Sequence, residues 1–281
     1  MKIISKIDEF RFWRSKISGS LGFVPTMGAL HKGHFSLIEE SNKLCDHTVV
    51  SIYVNPTQFA PQEDFDEYPK NIDNDINGLT FFNVDAILIP SDSEIYPQGF
   101  KSNVNVVSIT IILEGKSRPH FFQGVTTIVS KLFNIINPHY AFFGEKDAQQ
   151  LRVIKKMVED LNYSINIISC PTIREKNGLA MSSRNKYLSK DEFSSASIIY
   201  SSLKMAEKLL IDGEKNPNYI RNKIKKFISQ NNTVLIDYIS ISDNLTLEEI
   251  NSDIKKDVLI SIAVYIGKIR LIDNFSYLVP K

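Results

Sequence analysis

Continuous apolar runs alternate with stretches of helical periodicity through the first two thirds of the chain. Runs rich in Val, Ile and Phe predict β-strands at 21–25, 48–54, 84–90, 141–144 and 164–170. Apolar residues recurring every three to four positions predict helices at 35–46, 125–137 and 147–161. Buried strands separated by helices are typical of a parallel sheet that is covered on both faces. The pattern therefore predicts an α/β fold with a doubly wound sheet.

The pattern changes after residue 174. Helical stretches near 190–211 and 217–230 precede strand-like runs at 234–242 and 258–267. The apolar run at 258–267 is far shorter than the ~20 residues that cross a bilayer, so we interpret it as a buried strand. We predict two domains, 1–174 and a smaller α+β domain at 175–281.

Composition limits the possible partners. Of the 281 residues 43% are hydrophobic and 23% charged, with a net charge of +1. This balance favours a globular protein and disfavours broad electrostatic binding to nucleic acid or to a membrane. The N-terminal segment has charges every few residues and does not resemble a signal peptide. Cys45 and Cys170 lie far apart and are interpreted as buried free thiols, which predicts a cytoplasmic location.

The segment PTMGALHKGH (25–34) lies between a predicted strand and a predicted helix. His31 and His34 should therefore share one face at the helix N-terminus, where free N–H groups and the helix dipole attract phosphate. Gly28 and Gly33 would let the backbone approach a ligand. Two imidazole donors suit charge that develops on phosphate oxygens. We predict a triphosphate site here, in preference to a helix cap with incidental histidines.

The loop after the next predicted strand, NPTQFAPQEDFDEYPK (55–70), carries neutral amides beside a proline. Asn55 and Gln58 suit a small hydroxylated or carboxylated molecule, although Asn and Pro also form turns. The acidic side chains of this loop are interpreted as a solvated surface rather than a metal site; they are Glu63, Asp64, Asp66 and Glu67.

Two later segments carry cations and hydroxyls. In FFGEKDAQQL (142–151), Lys146 could meet a phosphate, and Asp147 could cap the helix or accept from a ribose hydroxyl. In IREKNGLAMSSRN (173–185), two serines and Arg184 follow a glycine turn and could hold a triphosphate. Capping serines are the alternative interpretation.

Together, in this order and spacing and with GKIRLIDN (267–274) near the end, these segments resemble the pantothenate synthetase family. The resemblance implies a Rossmann-like fold with a C-terminal lid domain, and an enzyme that is usually a homodimer. It implies that the carboxylate of pantoate attacks the α-phosphate of ATP, and that β-alanine then displaces AMP from pantoyl adenylate. Mg²⁺ would bridge phosphate oxygens, mostly through water, without an assigned protein ligand.

The resemblance also implies roles for individual residues. His34, His31, Lys146 and Arg184 would be catalytic, with His34 as the donor to the departing pyrophosphate. Gln58 and Gln150 would bind pantoate, and Gln58 would also lie near β-alanine. The remaining ATP-binding residues would be Met27, Gly28, Ala29, Leu30, Lys32, Gly33, Gly144, Glu145, Asp147, Ile173, Met181, Ser182 and Ser183.

The chain departs from the family pattern where RPGHF is usual and RPHFF (118–122) stands instead. No role is assigned to His120 or Phe121 for that reason. Lys70 replaces the usual arginine, and Asn74 interrupts an acidic run.

Three other functions stay open at this point. A nucleotidyltransferase with a phosphorylated acceptor would offer basic residues where this chain has Gln58 and Gln150. A catalytically inactive nucleotide-binding module would not be expected to keep all four predicted catalytic residues, which are His31, His34, Lys146 and Arg184. A fragment of an aminoacyl-tRNA synthetase would be expected to carry a further tRNA-binding domain.

Overall fold

The computed structural model describes residues 1–60, 65 and 67–280. The strands are β1 (Lys2–Ile4), β2 (Leu21–Thr26), β3 (His47–Ile52), β4 (Ala86–Leu88), β5 (Tyr140–Gly144), β6 (Asn166–Cys170), β7 (Val234–Asp243), β8 (Val258–Ile266) and β9 (Ile269–Tyr277). The α-helices are α1 (Ile7–Arg14), α2 (Lys32–Leu44), α3 (Ile72–Leu79), α4 (Asp92–Ile95), α5 (Glu114–Ser117), α6 (Phe121–Ile136), α7 (Ala148–Asp160), α8 (Lys190–Ser195), α9 (Ser197–Ile211) and α10 (Pro217–Ile228).

A parallel sheet forms the centre of the N-terminal part, with six strands among the described residues in the order β1-β4-β3-β2-β5-β6. Successive residues of each strand enter different cores because side chains alternate across a sheet. Phe23 and Val49 pack with α1, α6 and α7, whereas Val24 and Val50 pack with α2 and α3. The predicted doubly wound sheet is therefore confirmed.

The strand order reverses between β2 and β5. The chain runs outward from β2 through β3 to β4 on one side, and from β5 to β6 on the other. β2 pairs with β3 as far as Thr26, but its pairing with β5 stops at Phe23, opposite Ala141. Ligands of open α/β sheets bind at the carboxyl ends of strands at such a reversal. We therefore expect a ligand to bind at the segments that follow β2 and β5.

A separate antiparallel sheet, three-stranded in the described part, lies in the C-terminal portion of the chain in the order β7-β8-β9. Its central strand, β8, is buried along nearly its whole length, which confirms the interpretation of 258–267 as a buried strand. One face packs on α9 and α10 through side chains such as Ile199, Ile220 and Ile260. The predicted α+β character of this part is confirmed.

The structure also adds elements and corrects others. β1, α1 and β9 were not predicted, and the helix predicted over 190–211 is divided at Ala196 into α8 and α9. The chain separates into two compact units, Met1–Glu145 with Gln150–Pro171, and Lys146–Gln149 with Thr172–Lys281. The functional boundary at 174 stays a prediction. None of the helices in the described residues is both long and apolar enough to span a bilayer.

Candidate active site

His31 and His34 together form the N-terminal cap of α2. Nδ1 of His31 accepts from the N–H of Gly33 at 3.1 Å, and Nδ1 of His34 accepts from the N–H of His31 at 3.3 Å. The two rings lie against each other with centroids 4.1 Å apart. A neutral imidazole that accepts at Nδ1 carries its proton on Nε2. The cap therefore fixes one tautomer of each ring. The capping interpretation is confirmed, and the phosphate site stays a prediction.

The loop before α2 corrects the expectation of free backbone donors. The N–H groups of Ala29 and Leu30 donate to the carboxylate of Asp75 at 2.9 and 2.7 Å, and that of Gly28 donates to Thr26 Oγ1 at 3.2 Å. The N–H groups of His31 and Gly33 are taken up by the cap, and those of His34 and Phe35 by the carbonyl of His31. Donors to a phosphate must therefore come mainly from side chains.

Gln58 ends a short 3₁₀ helix, Pro56–Gln58, that follows β3. Asn55 caps this helix, and its Oδ1 accepts from the hydroxyls of Tyr96 at 2.8 Å and Thr57 at 3.0 Å. Its Nδ2 donates to the carbonyl of Gly124 at 3.2 Å. Asn55 is 1% exposed, and both its Oδ1 and its Nδ2 bind groups of the chain. Asn55 therefore supports the turn that carries Gln58, and its role as a substrate-binding amide stays a prediction.

Helix α6 approaches this 3₁₀ helix more closely than a side chain would allow. A Cβ on Gly124 would lie 2.3 Å from the carbonyl oxygen of Thr57 and 3.0 Å from the nitrogen of Gln58. From the segment just before this helix, Arg118 Nη2 donates to the Gln58 carbonyl at 3.1 Å. Backbone contacts thus hold Gln58 from several sides.

The RPHFF segment (118–122), where the chain departs from the family pattern, supplies the arginine that contacts Gln58. The guanidinium of Arg118 lies over the ring of Phe121, 3.8 Å from its centroid, so Phe121 supports the arginine that holds Gln58. His120 caps α6 with φ of +75°, in the left-handed region that glycine adopts without strain. The usual glycine at this position fits that backbone better than histidine does.

The hydroxyls of Tyr53 and Tyr96 stay protonated at neutral pH. Burial raises the pKa of the Tyr96 hydroxyl, and burial together with the hydrogen bond to Asp92 raises that of Tyr53.

Burial likewise raises the pKa of both cysteine thiols to about 11. Cys45 is half-buried and Cys170 fully buried, and neither forms a disulfide. The thiols therefore stay protonated at neutral pH and are poor nucleophiles.

In the second compact unit, Lys146 lies in a 3₁₀ helix, Glu145–Asp147, and forms an ion pair with Asp147 at 3.2 Å. Asn274 of β9 donates from Nδ2 to the Lys146 carbonyl at 2.9 Å. The neighbouring Asp273, 1% exposed, forms a bidentate pair with Arg174 at 2.6 and 3.0 Å. The end of the GKIRLIDN segment thus holds two predicted site segments in place.

The residues from Ile173 to Arg184 form an ordered turn. The N–H of Met181 donates to the Ile173 carbonyl at 2.9 Å, which brings these two predicted ATP-binding residues together. Ser182 accepts from the N–H of Arg184 at 3.3 Å, as the capping alternative predicted. Ser183 is buried, while the Arg184 side chain is half-buried.

The other predicted residues lie on separate elements. Gly144 ends β5, Glu145 is exposed, and Gln150 is half-buried on α7. Gln58 is buried, and within the described ranges no hydrogen bond joins it to Gln150. Of the acidic loop, Glu63, Asp64 and Asp66 lie outside the described residues, whereas Glu67 is exposed.

A family model described as pantoate-beta-alanine ligase matches residues 2–276. The chain belongs to the pantoate–β-alanine ligase family. The pantothenate synthetase of Acetivibrio thermocellus is 49% identical over 277 residues, covering 98% of each chain. That of Clostridium botulinum strain 657 is 50% identical over 281 residues, covering 99% of each.

Solved structures agree in fold with this member of the ligase family. The pantothenate synthetase of Thermus thermophilus superposes with a TM-score of 0.93 at 36% identity, covering 98% of this chain and 99% of that one. The Francisella tularensis pantoate–β-alanine ligase, which is complexed with beta-gamma ATP and β-alanine, gives 0.79 at 38% identity, covering 98% and 97%. The chain is therefore an enzyme with the ligase family's two-part fold.

The structure identifies supporting residues of this ligase that were not predicted from the sequence. They are Asp75, Tyr96, Arg118, Asp273 and Asn274. Each contacts a predicted segment that is distant along the chain, so no local spacing marks it. Asp273 and Asn274 do belong to the GKIRLIDN segment that contributes to the resemblance, but the resemblance implies no role for them.

Proposed function

We propose that this ligase makes pantothenate from pantoate and β-alanine in two steps, through pantoyl adenylate, with release of pyrophosphate and AMP. The observation that carries the proposal is the His31–His34 cap, which places both imidazoles at the carboxyl end of β2, at the reversal of the sheet. Membership of the pantoate–β-alanine ligase family supports the choice of substrates.

In the first step an oxygen of the pantoate carboxylate forms a bond to the α-phosphorus of ATP, and the bond to the bridging oxygen breaks. Negative charge grows on the departing pyrophosphate. His34, with His31 beside it, would donate to those oxygens, and Lys146 and Arg184 would neutralise the charge. We assign binding of ATP to residues 27–34, 144–147, 173 and 181–184.

In the second step the amine of β-alanine attacks the carbonyl carbon of the mixed anhydride, and AMP leaves with the electron pair of the broken C–O bond. The nitrogen releases a proton to solvent as the amide forms. Gln58 and Gln150 would hold pantoate through neutral amide groups, with Gln58 also beside the β-alanine position. The support of Gln58 by Arg118 and Asn55 favours this role, because an amide that orients a substrate must itself be held in a fixed position.

Mg²⁺ is treated as part of the substrate. Both oxygens of Asp75 accept from backbone N–H groups, and no cluster of three metal-ligating side chains occurs in the described part of the chain. ATP would therefore bring the ion on its phosphates, mostly through water. A homodimer and a cytoplasmic location remain predictions.

The test is an assay of AMP formation with pantoate and β-alanine omitted in turn. We expect AMP and pantothenate in equal amounts only when ATP, pantoate and β-alanine are all present. AMP formation that does not depend on β-alanine would contradict the proposal. A nucleotide left on the product would instead support a nucleotidyltransferase.

A further inference from the structure

The loop between β2 and α2 is folded around a carboxylate of the chain itself. Gly28 and Ala29 both have positive φ, +82° and +51°. Successive N–H groups in such a conformation converge on one point and form a concave anion site, or nest. The occupant is Asp75 from α3, whose two oxygens accept from the N–H groups of Ala29 and Leu30 at 2.9 and 2.7 Å. Asp75 is 5% exposed.

The fit between the carboxylate and the loop is close. A Cβ on Gly28 would lie 2.9 Å from Asp75 Oδ2 and 3.2 Å from Ile52 Cγ2. On its other side the N–H of Gly28 is held by Thr26 Oγ1. The loop is therefore fixed at both ends, and the residue that follows Leu30 is His31. Since His31 caps α2 and binds His34, the carboxylate determines where both rings lie.

The occupied nest also excludes a phosphate from this point. A second anion would meet the charge of Asp75 at short range and would find the N–H groups already engaged. A triphosphate at the proposed site would therefore meet the neutral imidazoles and the side-chain cations rather than these N–H groups.

We propose that Asp75 is a positioning residue for adenylation, which acts by filling the nest of residues 28–30 and so placing His31 and His34. The expected effect of Asp75 on the rate of adenylation rests on the proposed function. The placement of residues 28–30 and of the two rings by Asp75 does not.

The kinetic test uses Asp75→Ala in the full chain, with Asp73→Ala as the matched control. Asp73 lies on the same helix and is exposed. We expect Asp75→Ala to lower kcat for AMP formation about 10- to 100-fold, because small displacements of catalytic groups have effects of that size. The control should keep wild-type kinetics.

Formate separates positioning from general structural damage. A small carboxylate should enter the emptied nest and restore much of the lost rate in Asp75→Ala, while leaving the wild type and Asp73→Ala unchanged at equal ionic strength set with chloride. A folded Asp75→Ala enzyme with wild-type kinetics, or with a loss that formate does not restore, would overturn the proposal.

Amide hydrogen exchange gives a readout that does not depend on the reaction. The Ala29 and Leu30 amides should exchange slowly in the wild type, faster in Asp75→Ala, and slowly again with formate. If the wild type makes no pantothenate, the proposed function fails. The exchange experiment would still show whether Asp75 protects the Ala29 and Leu30 amides. If Asp75→Ala does not fold, Asp75→Asn replaces it, because its amide retains one acceptor. Unchanged kcat and exchange in that variant would overturn the inference.

Discussion

The side chain of Asn274 on β9 donates a hydrogen bond to the backbone carbonyl of Lys146, 2.9 Å away. These residues are far apart in sequence, and both belong to the second compact unit. The N–H of Asn274 in turn donates to Asp273 Oδ1 at 2.8 Å, which also holds Arg174. A single point on β9 therefore fixes the backbone of a predicted triphosphate-binding lysine and the segment that leads to Arg184.

Asn274→Ala removes the bond to Lys146 and leaves its carbonyl without that donor. We expect kcat for AMP formation to fall roughly 10- to 100-fold, because the backbone that carries the Lys146 side chain is no longer held in place. The free energy of unfolding should fall by about 1 kcal/mol. The control is Ser276→Ala on the same strand, where the hydroxyl binds Asn244 instead. Equal kinetics in both variants would show that Asn274 does not position Lys146.

His34 has a structural role in the cap and a proposed catalytic role, and two variants separate them. His34→Ala should lower kcat by roughly two to four orders of magnitude. His34→Gln should lower it similarly while keeping the stability of the wild type, since glutamine at this position also accepts from the N–H of the cap residue. Thermal unfolding and single-turnover AMP formation give the two quantities. A near-wild-type rate in His34→Gln would mean that the cap, and not the imidazole, matters.

Gly124→Ala tests the close approach of α6 to the 3₁₀ helix that ends at Gln58. Alanine normally stabilises the interior of a helix by about 1 kcal/mol relative to glycine. Here the added Cβ would lie 2.3 Å from Thr57 O, so we expect a loss of about 1–3 kcal/mol and a raised KM for pantoate. Gln123→Ala, one residue earlier, should change neither. A more stable Gly124→Ala enzyme would contradict the contact.

Much of the fold follows from local pattern, and the exceptions have physical reasons. Fully buried strands such as β8 are read easily because they are continuously apolar. β1 has only three residues, too few for a period to appear. β9 follows β8 across a two-residue turn that contains Gly267, with φ of +56°. That turn signal was available in the sequence.

The candidate site was predictable only as far as its own motifs reach. The strand–loop–helix context of His31 and His34 follows from the sequence, but the use of the loop's N–H groups does not. Asp75 lies more than forty residues away on a helix that was not predicted, and its carboxylate takes the donors that were expected to bind phosphate. Asn55 shows a related case, because its bonds to Tyr96 and Gly124 join segments that are distant along the chain and that no local spacing connects.

His120→Gly should stabilise the protein. His120 is exposed and has φ of +75°, so its side chain adds strain without burial. The left-handed backbone costs a non-glycine residue about 1 kcal/mol, which we expect as the gain in urea unfolding. His120→Ala keeps the strain and should give no gain. Equal stabilisation by alanine would show that the imidazole, not the backbone, is unfavourable.

Asp243 predicts how stability depends on pH. Burial opposes its ionisation, but the bonds from Lys256 and from the N–H groups of Thr246 and Leu245 prevail and lower its pKa from 3.8 to about 2. Because the folded state holds this proton less tightly than the unfolded state, the stabilisation is complete above pH 3.8 and is lost as the pH falls to about 2. The shift corresponds to about 2 kcal/mol. The free energy of unfolding of the wild type should therefore exceed that of Asp243→Asn by about this amount at pH 7, and the difference should vanish near pH 2. A difference that stays constant from neutral to acidic pH would mean that the carboxylate charge contributes nothing.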